Sequence, residues 1–216
     1  MSALFVTATG TDIGKTFVSA GLLRHVKGLR AFKPVVSGFD IDAPEGSDPA
    51  ALLDAMGETV TRDTLRRISP LQFKAALAPT MAARRENYHL ALEELTQLCR
   101  KEMATGNPLL IEGAGGVMSP LAEGATNLDL IGALQLSCLL VCGTYLGAIS
   151  HTLTALSAMQ TQGIAIKAVA LNESAGSSID LEETAQELRQ FMPTLPLAII
   201  RRGERDFAPL ARLCGF

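Results

Sequence analysis

The sequence predicts a single α/β domain, residues 1–216, built on a mostly parallel central sheet flanked by helices. Three observations predict it. Short β-rich apolar runs alternate with longer helical patterns, and such alternation implies parallel strands joined by right-handed crossovers. Several of the runs, Pro108–Glu112 and Cys138–Cys142 among them, are almost continuously apolar, as strands covered on both faces should be. The chain has 216 residues, 48% of them hydrophobic, which suits one sizeable core.

The strand candidates are Ala3–Thr7, Arg30–Pro34, Pro108–Glu112, Cys138–Cys142, Ala165–Asn172 and Leu197–Ile200. Helical patterns follow at Lys15–Val26, Pro49–Met56, Tyr88–Met103, Asn127–Leu136, Ile149–Gln162 and Asp180–Phe191. The region from Asp40 to Ala83 reads as irregular and suits an insertion over an active site. Neither an internal repeat nor a low-complexity tract interrupts the chain.

Composition excludes several classes. The formal net charge of -3 argues against a generic nucleic-acid binder, which neutralises phosphates with surplus Lys and Arg. Arg201, Arg202 and Arg205 form a basic cluster that Glu204 and Asp206 dilute, as in a solvated turn. The cysteines, Cys99, Cys138, Cys142 and Cys214, make no Cys-x-x-Cys pair and have no His at zinc-ligand spacing. They read as small buried hydrophobes of a cytoplasmic protein. The start, Met-Ser-Ala-Leu-Phe-Val-Thr, lacks the pattern of a signal peptide. Between Asp129 and Lys167 no charged residue occurs, yet Gly132, Gln135, Ser137, Gly143, Thr144 and Gly147 break any membrane-length run. A helix end, a buried strand, a loop and a second helix are expected there, with the helix covered by something such as another subunit.

The first strand runs into Thr9-Gly10-Thr11-Asp12-Ile13-Gly14-Lys15-Thr16 and then a helix. The phosphate-binding pattern is G-x-x-x-x-G-K-[ST], and here Thr9 stands at its leading glycine. Gly14 would let the backbone approach phosphate, and the helix N-terminus supplies positive potential. Lys15 can reach the β- and γ-phosphates, and the Thr16 hydroxyl can ligate Mg²⁺. The motif specifies the domain further, as a P-loop nucleotide-binding type.

Acidic partners for a metal are sought at strand ends, where ligands bind in open α/β sheets. Glu112 ends such a strand and is followed by Gly113-Ala114-Gly115-Gly116, small residues that admit a ligand to the backbone. Asp48, before Pro49 and a helical pattern, reads from spacing alone as an N-cap. Lys33 closes the second strand at the same edge of the sheet. Two lysines and a magnesium ion around one cleft suit phosphoryl transfer to an anionic acceptor.

Taken together, these segments resemble the dethiobiotin synthetase family. The resemblance rests on Thr-x-Thr-x-Thr-x-x-Gly-Lys-Thr at Thr7–Thr16, Phe32-Lys33-Pro34-Val35-x-Ser37-Gly38, and Asp48. It continues through Glu112-Gly113-Ala114-Gly115-Gly116-x-x-x-Pro120-Leu121, Leu146-Gly147-x-Ile149-x-His151-x-x-Leu153-Thr154, and Asn172, over roughly the first four-fifths of the chain. The family tolerates a residue other than glycine at the position of Thr9. It closes the ureido ring of dethiobiotin from 7,8-diaminopelargonate, CO₂ and ATP, through a carbamate and a carbamic–phosphoric anhydride.

The resemblance implies roles residue by residue. Asp12, Ile13, Gly14, Lys15, Thr16 and Phe17 would hold the nucleotide phosphates, with Glu112, Gly113, Ala114 and Gly115 beside them and Asn172 at the adenine edge. Thr16, Asp48 and Glu112 would ligate Mg²⁺. Lys15 and Lys33 would be catalytic, stabilising carbamate and transferring phosphoryl group. Thr11 and Ser37 would place the substrate, with Pro79-Thr80 as a wall. The family is a homodimer whose substrate carboxylate sits at a helix N-terminus of the neighbouring subunit, matched here by Gly147, Ala148, Ile149 and Ser150. The chain departs from the family at Ser150, where Asn is common. It departs again after Ile200, where Arg-Arg-Gly-Glu-Arg-Asp replaces a proline-containing loop and the last helix is short. The rival readings are a ParA/MinD-like ATPase switch, which usually carries a second lysine where Gly10 stands, and a related amidoligase.

Overall fold

The first strand of the chain lies inside the sheet, not at its edge, so its C-terminal end opens onto the middle of the domain. The computed structural model describes residues 3–216. It begins β1 (Ala3–Ala8), α1 (Lys15–His25), β2 (Arg30–Phe32), β3 (Val35–Ser37), α2 (Asp48–Ala55), α3 (Arg62–Ile68), β4 (Leu71–Phe73), α4 (Pro79–Arg85) and α5 (Leu92–Met103). It continues β5 (Leu109–Glu112), β6 (Pro120–Ala122), β7 (Ala125–Thr126), α6 (Asn127–Leu134) and β8 (Cys138–Cys142). The last elements are α7 (Ala148–Thr161), β9 (Ile166–Asn172), α8 (Leu181–Phe191), β10 (Leu197–Ile200) and α9 (Ala208–Cys214).

The central sheet has six strands in the order β10-β9-β8-β1-β5-β2, and every pairing in it is parallel. Alternation along β1 divides the core. Phe5 faces one hydrophobic cluster, whereas Leu4, Val6 and Ala8 face the other. The same happens in β8, where Cys138, Leu140 and Cys142 point one way and Leu139 and Val141 the other. A strand buried on both faces must be apolar at every position, which explains the continuous runs. All four cysteines are buried and free.

The second strand is shorter than Arg30–Pro34. Pro34 has no N–H to extend the ladder, and the Lys33 amide turns instead to the carbonyl of Ile68 at 2.8 Å. The chain then crosses to a separate two-stranded parallel sheet, β3 with β4. The stretch Asp40–Ala83 is accordingly structured: it contains α2, α3, β4 and the start of α4. It is an insertion over one end of the sheet, as its position suggested, but not an irregular one.

Helix boundaries shift where caps decide them. Ser47 caps α2 by accepting from the Ala50 amide, so Asp48 is the first helical residue and not the cap. A capping box between Thr126 and Asp129 starts α6, and Gln135, at φ 54, ends it two residues before Leu136. Asp180 caps α8 by accepting from the Glu183 amide at 2.8 Å. Residues 88–91 form a connection before α5, with the Tyr88 ring 5.6 Å from that of Phe73. The short final helix packs on α1 through Phe207: a Cβ at Gly21 would come within 2.2 Å of that ring. Among the described residues no helix is long and apolar enough to cross a membrane. The uncharged stretch resolves into the end of α6, β8, a loop, α7 and the start of β9.

Candidate active site

The loop from β1 to α1 holds its shape by backbone geometry. Asp12 has φ 57 and Gly14 φ 94, both left-handed, and Gly14 caps α1 with no side-chain partner. The first amides of the helix therefore stay open to an anion. Neither Thr11 nor Asp12 caps it. The Asn172 side chain at the end of β9 donates to the Ile13 carbonyl at 2.9 Å, tying the loop to a second strand. Lys15 bends back over the loop, its Nζ 3.4 Å from the Gly10 carbonyl oxygen.

Behind the loop lies a ring of four groups. Thr16 Oγ1 is 2.7 Å from Asp48 Oδ1 and 2.9 Å from Glu112 Oε1. Lys33 Nζ is 2.9 Å from Asp48 Oδ2 and 2.8 Å from the same Glu112 oxygen. Four strand or helix ends converge here: the start of α1, the end of β5, the residue after β2 and the first residue of α2. Lys33 is only 2% exposed and Glu112 1%, so the pair sits on the floor of the cleft. Unpaired charges there would cost several kcal/mol (~3–5), which is why each has a partner.

Charge distribution follows from burial. Burial, and after it the neighbouring Lys33 ammonium, lowers the Lys15 pKa to about 8. Burial alone would lower Lys33 as well, but Glu112 and Asp48 outweigh it and hold Lys33 charged. Asp48 is kept ionised because Lys33, with Thr16, overcomes its own partial burial.

The glycine-rich segment after Glu112 is clamped by a residue that sequence reasoning did not single out. Asn127, fully buried at the start of α6, donates to the carbonyls of Ala114 at 2.7 Å and Gly116 at 2.8 Å. Ser119, also missed, accepts from the Gly116 amide at 2.7 Å. Gly115 has φ +72, and a Cβ at Gly116 would lie 2.9 Å from the Gly10 nitrogen, so the two loops touch backbone to backbone. A Thr-Asn pair opening a helix shortly after Gly-Ala-Gly-Gly was the available signal, but it reads equally well as a simple cap.

These parts enclose a cleft of about 810 Å³ lined by Thr11, Asp12, Gly14, Lys15, Thr16, Lys33, Ser37, Asp48, Ala114, Gly115, Ser119 and the turn Ala76–Pro79, among others. Glu112, Gly113, Ile13 and Asn172 stand just behind this lining. Gly113 offers its carbonyl to Lys33 at 3.4 Å. The Ser37 hydroxyl donates to the Leu77 carbonyl at 2.6 Å, so toward the cleft it can only accept. Phe17 is elsewhere: its ring stacks edge-on against Phe207 at 5.9 Å and lines a smaller hollow with Arg24, His25 and Arg205. Gly147, Ala148, Ile149 and Ser150 do not line the cleft of their own chain. They form the start of α7, where Gly147 has φ 93 and no side-chain cap.

The donor set fits a hard divalent ion. Among the described residues no group of three or more His, Cys, Asp and Glu side chains could hold a metal. Two carboxylates and a hydroxyl do converge, leaving other positions for phosphate oxygens and water, as magnesium prefers. The Thr16 hydroxyl has one hydrogen for two carboxylate contacts, so one contact lacks a proton when both carboxylates are ionised. Glu112 Oε2 is buried with no partner. A cation between these oxygens would relieve both defects.

A family model described as an AAA domain matches residues 2–204. The chain is 49% identical over 216 residues to the ATP-dependent dethiobiotin synthetase of Phenylobacterium zucineum, covering 96% of this chain and 92% of that one. It is 47% identical over 210 residues to the protein of the same name from Caulobacter sp. strain K31, covering 94% and 90%. Among solved structures, a ParA family ATPase from Chlorobium tepidum matches 99% of this chain and 90% of its own, with a TM-score of 0.54 and 12% identity. That likeness shows a shared fold and carries nothing about partners. Identity near one half over almost the whole length is a different matter, and on it the chain belongs to the family of ATP-dependent dethiobiotin synthetases.

Proposed function

We propose that this chain is an ATP-dependent ligase that closes the ureido ring of dethiobiotin from 7,8-diaminopelargonate and CO₂. The observation that carries the reading is the convergence of Lys15, Lys33, Asp48, Glu112 and Thr16 on one cleft between the P-loop and the Ser37 and Pro79 walls.

The chemistry runs in three steps. One substrate amine adds to CO₂ and loses a proton, giving a carbamate. A carbamate oxygen attacks the γ-phosphorus of ATP, the bond to the β-phosphate oxygen breaks, and ADP leaves. The second amine then attacks the carbonyl carbon of the mixed anhydride, a proton is lost, and phosphate departs as the ring closes. Protein catalysis here is mainly positioning and charge compensation. The open amides of α1 and the Lys15 ammonium hold the β- and γ-phosphates. Lys33 supports the carbamate from below. Thr11 faces Gly115 across the mouth, and Ser37, restricted to accepting, suits a substrate amine. Thr16, Asp48 and Glu112 would hold magnesium, which supplies compensation for the phosphate charge. Asn172 spends its amide on the P-loop and keeps its side-chain oxygen for the base. The start of α7 would serve a second subunit of a homodimer, with the Ile149 and Ser150 amides receiving the substrate carboxylate while the Ala148 amide donates to the Tyr145 carbonyl at 2.9 Å.

Phosphate release with ATP, Mg²⁺ and bicarbonate, measured with and without 7,8-diaminopelargonate, tests this. Release that depends on the diamine, with dethiobiotin detected by mass spectrometry, is the expected result. Hydrolysis indifferent to the diamine would leave a nucleotide switch of the ParA type in its place.

A further inference from the structure

Lys33 stands in an unexpected position for a residue that must meet substrate. Its ammonium bridges Asp48 Oδ2 at 2.9 Å and Glu112 Oε1 at 2.8 Å. Those are the two carboxylates proposed above to hold the divalent ion. Thr16 closes the ring on the opposite side through Asp48 Oδ1 and the same Glu112 oxygen. The ammonium thus already occupies one oxygen of each carboxylate that a metal would need. Counting the charged groups around the cleft, Lys15 and Lys33 stand against Asp12, Asp48 and Glu112, so the nucleotide-free site carries about one net negative charge. A divalent ion entering alone would leave an uncompensated positive charge beside a fully buried ammonium, which is unfavourable. A triphosphate lying along Lys15 brings the missing negative charge and oxygen donors.

We infer that Lys33 is a placeholder for the metal: its ammonium bars a divalent cation from Asp48 and Glu112 until a nucleoside triphosphate enters, and is then released toward the acceptor side of the cleft. This rests on the metal site proposed above. It gives an order to assembly, nucleotide before or with metal, and makes the lysine that supports the carbamate available only once both are bound. The competing role is a brace: if Lys33 merely orients the carboxylates, removing it must weaken metal binding.

Mn²⁺ is the probe, with free ion read by electron paramagnetic resonance on the purified full chain. The wild type should bind Mn²⁺ with a non-hydrolysable ATP analogue and bind it at least about tenfold more weakly without. Lys33→Met should bind Mn²⁺ without nucleotide at least about tenfold more tightly than the wild type does. Binding in Lys33→Met that is equal to or weaker than the wild type overturns the inference, as does wild-type binding indifferent to the analogue. No Mn²⁺ bound by the wild type even with the analogue removes the metal site itself, and the inference with it.

Lys33→Met strands two carboxylates and can unfold the chain, so a wild-type measurement asks the same question. The ¹⁵Nζ resonance of Lys33, identified by its loss in Lys33→Arg, should move when Mg²⁺ is added to the analogue complex. A resonance unmoved between analogue alone and analogue with Mg²⁺ overturns the placeholder.

Discussion

Asn172, at the end of β9, is in contact with Gly14, in the loop between β1 and α1. A Cβ built on Gly14 would lie 2.3 Å from Asn172 Nδ2, the same nitrogen that donates to the Ile13 carbonyl at 2.9 Å. The glycine is therefore required twice, for its φ of 94 and for the space its missing side chain leaves. The loop's shape depends on β9 as much as on its own sequence.

Gly14→Ala should accordingly expel Asn172 and strain the loop. The left-handed conformation alone costs ~1–2 kcal/mol for a residue with a Cβ. Triphosphate affinity, measured by calorimetry, should fall by more than about tenfold, and the melting temperature should drop. Unchanged affinity would mean that the loop re-forms without the Asn172 tie.

Asn127→Ala leaves the buried Ala114 carbonyl unpaired and takes one of two donors from the Gly116 carbonyl, which keeps the Ser119 amide at 3.0 Å. The expected loss of stability is about 1–3 kcal/mol, read by denaturant unfolding. Asn127→Asp keeps the size but replaces the donating amide with an acceptor and should do no better. A variant as stable as the wild type would show that water takes over the Ala114 carbonyl.

Much of this architecture was legible in the chain. β8 and β10 lie where the apolar runs placed them, and β1, α1 and Glu112 follow from strand, loop and helix patterns that depend on neighbours in sequence. Asp48 was not legible as a site residue from spacing. An Asp before Pro is a plausible cap, and only the structure shows Ser47 capping and Asp48 free to meet Thr16 and Lys33. The family resemblance, not local chemistry, pointed to it. Asn127 was missed because its partners lie 13 and 11 residues earlier, in a loop whose path no local pattern determines. α3, α4 and β4 span seven, seven and three residues, too short for a period to declare itself. The Phe17 ring packs on Phe207 and not on the phosphate cleft, so any part Phe17 takes there falls to its backbone amide at the start of α1.

Lys33→Ala should abolish ring closure by ~10²-fold or more in kcat, as loss of a buried transition-state donor does, while ATP analogue affinity largely survives. Normal turnover would remove Lys33 from the mechanism. Glu112→Gln should raise the Mg²⁺ concentration for half-maximal turnover by about tenfold or more, since it withdraws one of two charged ligands. An unchanged titration would argue that Glu112 serves only to hold Lys33.

The lowered pKa of Lys15 gives nucleotide binding a definite dependence on pH. In the free protein Lys15 loses its proton near pH 8, through burial first and the Lys33 ammonium second. A bound triphosphate favours the charged form and raises that pKa. Above pH 8 the complex thus holds more protons than the free protein, and affinity must fall as pH rises. Lys33, held charged by its carboxylates, contributes nothing over the same range. Calorimetric titration of an ATP analogue in two buffers of different ionisation enthalpy should show proton uptake approaching one at pH 9, and only about a tenth of a proton from Lys15 at pH 7. Affinity should decline by up to about tenfold per pH unit above 8, the limit for a single coupled proton. Equal apparent enthalpies in both buffers at pH 9 would mean that Lys15 is already fully charged there in the free protein, and that burial behind the P-loop does not depress it.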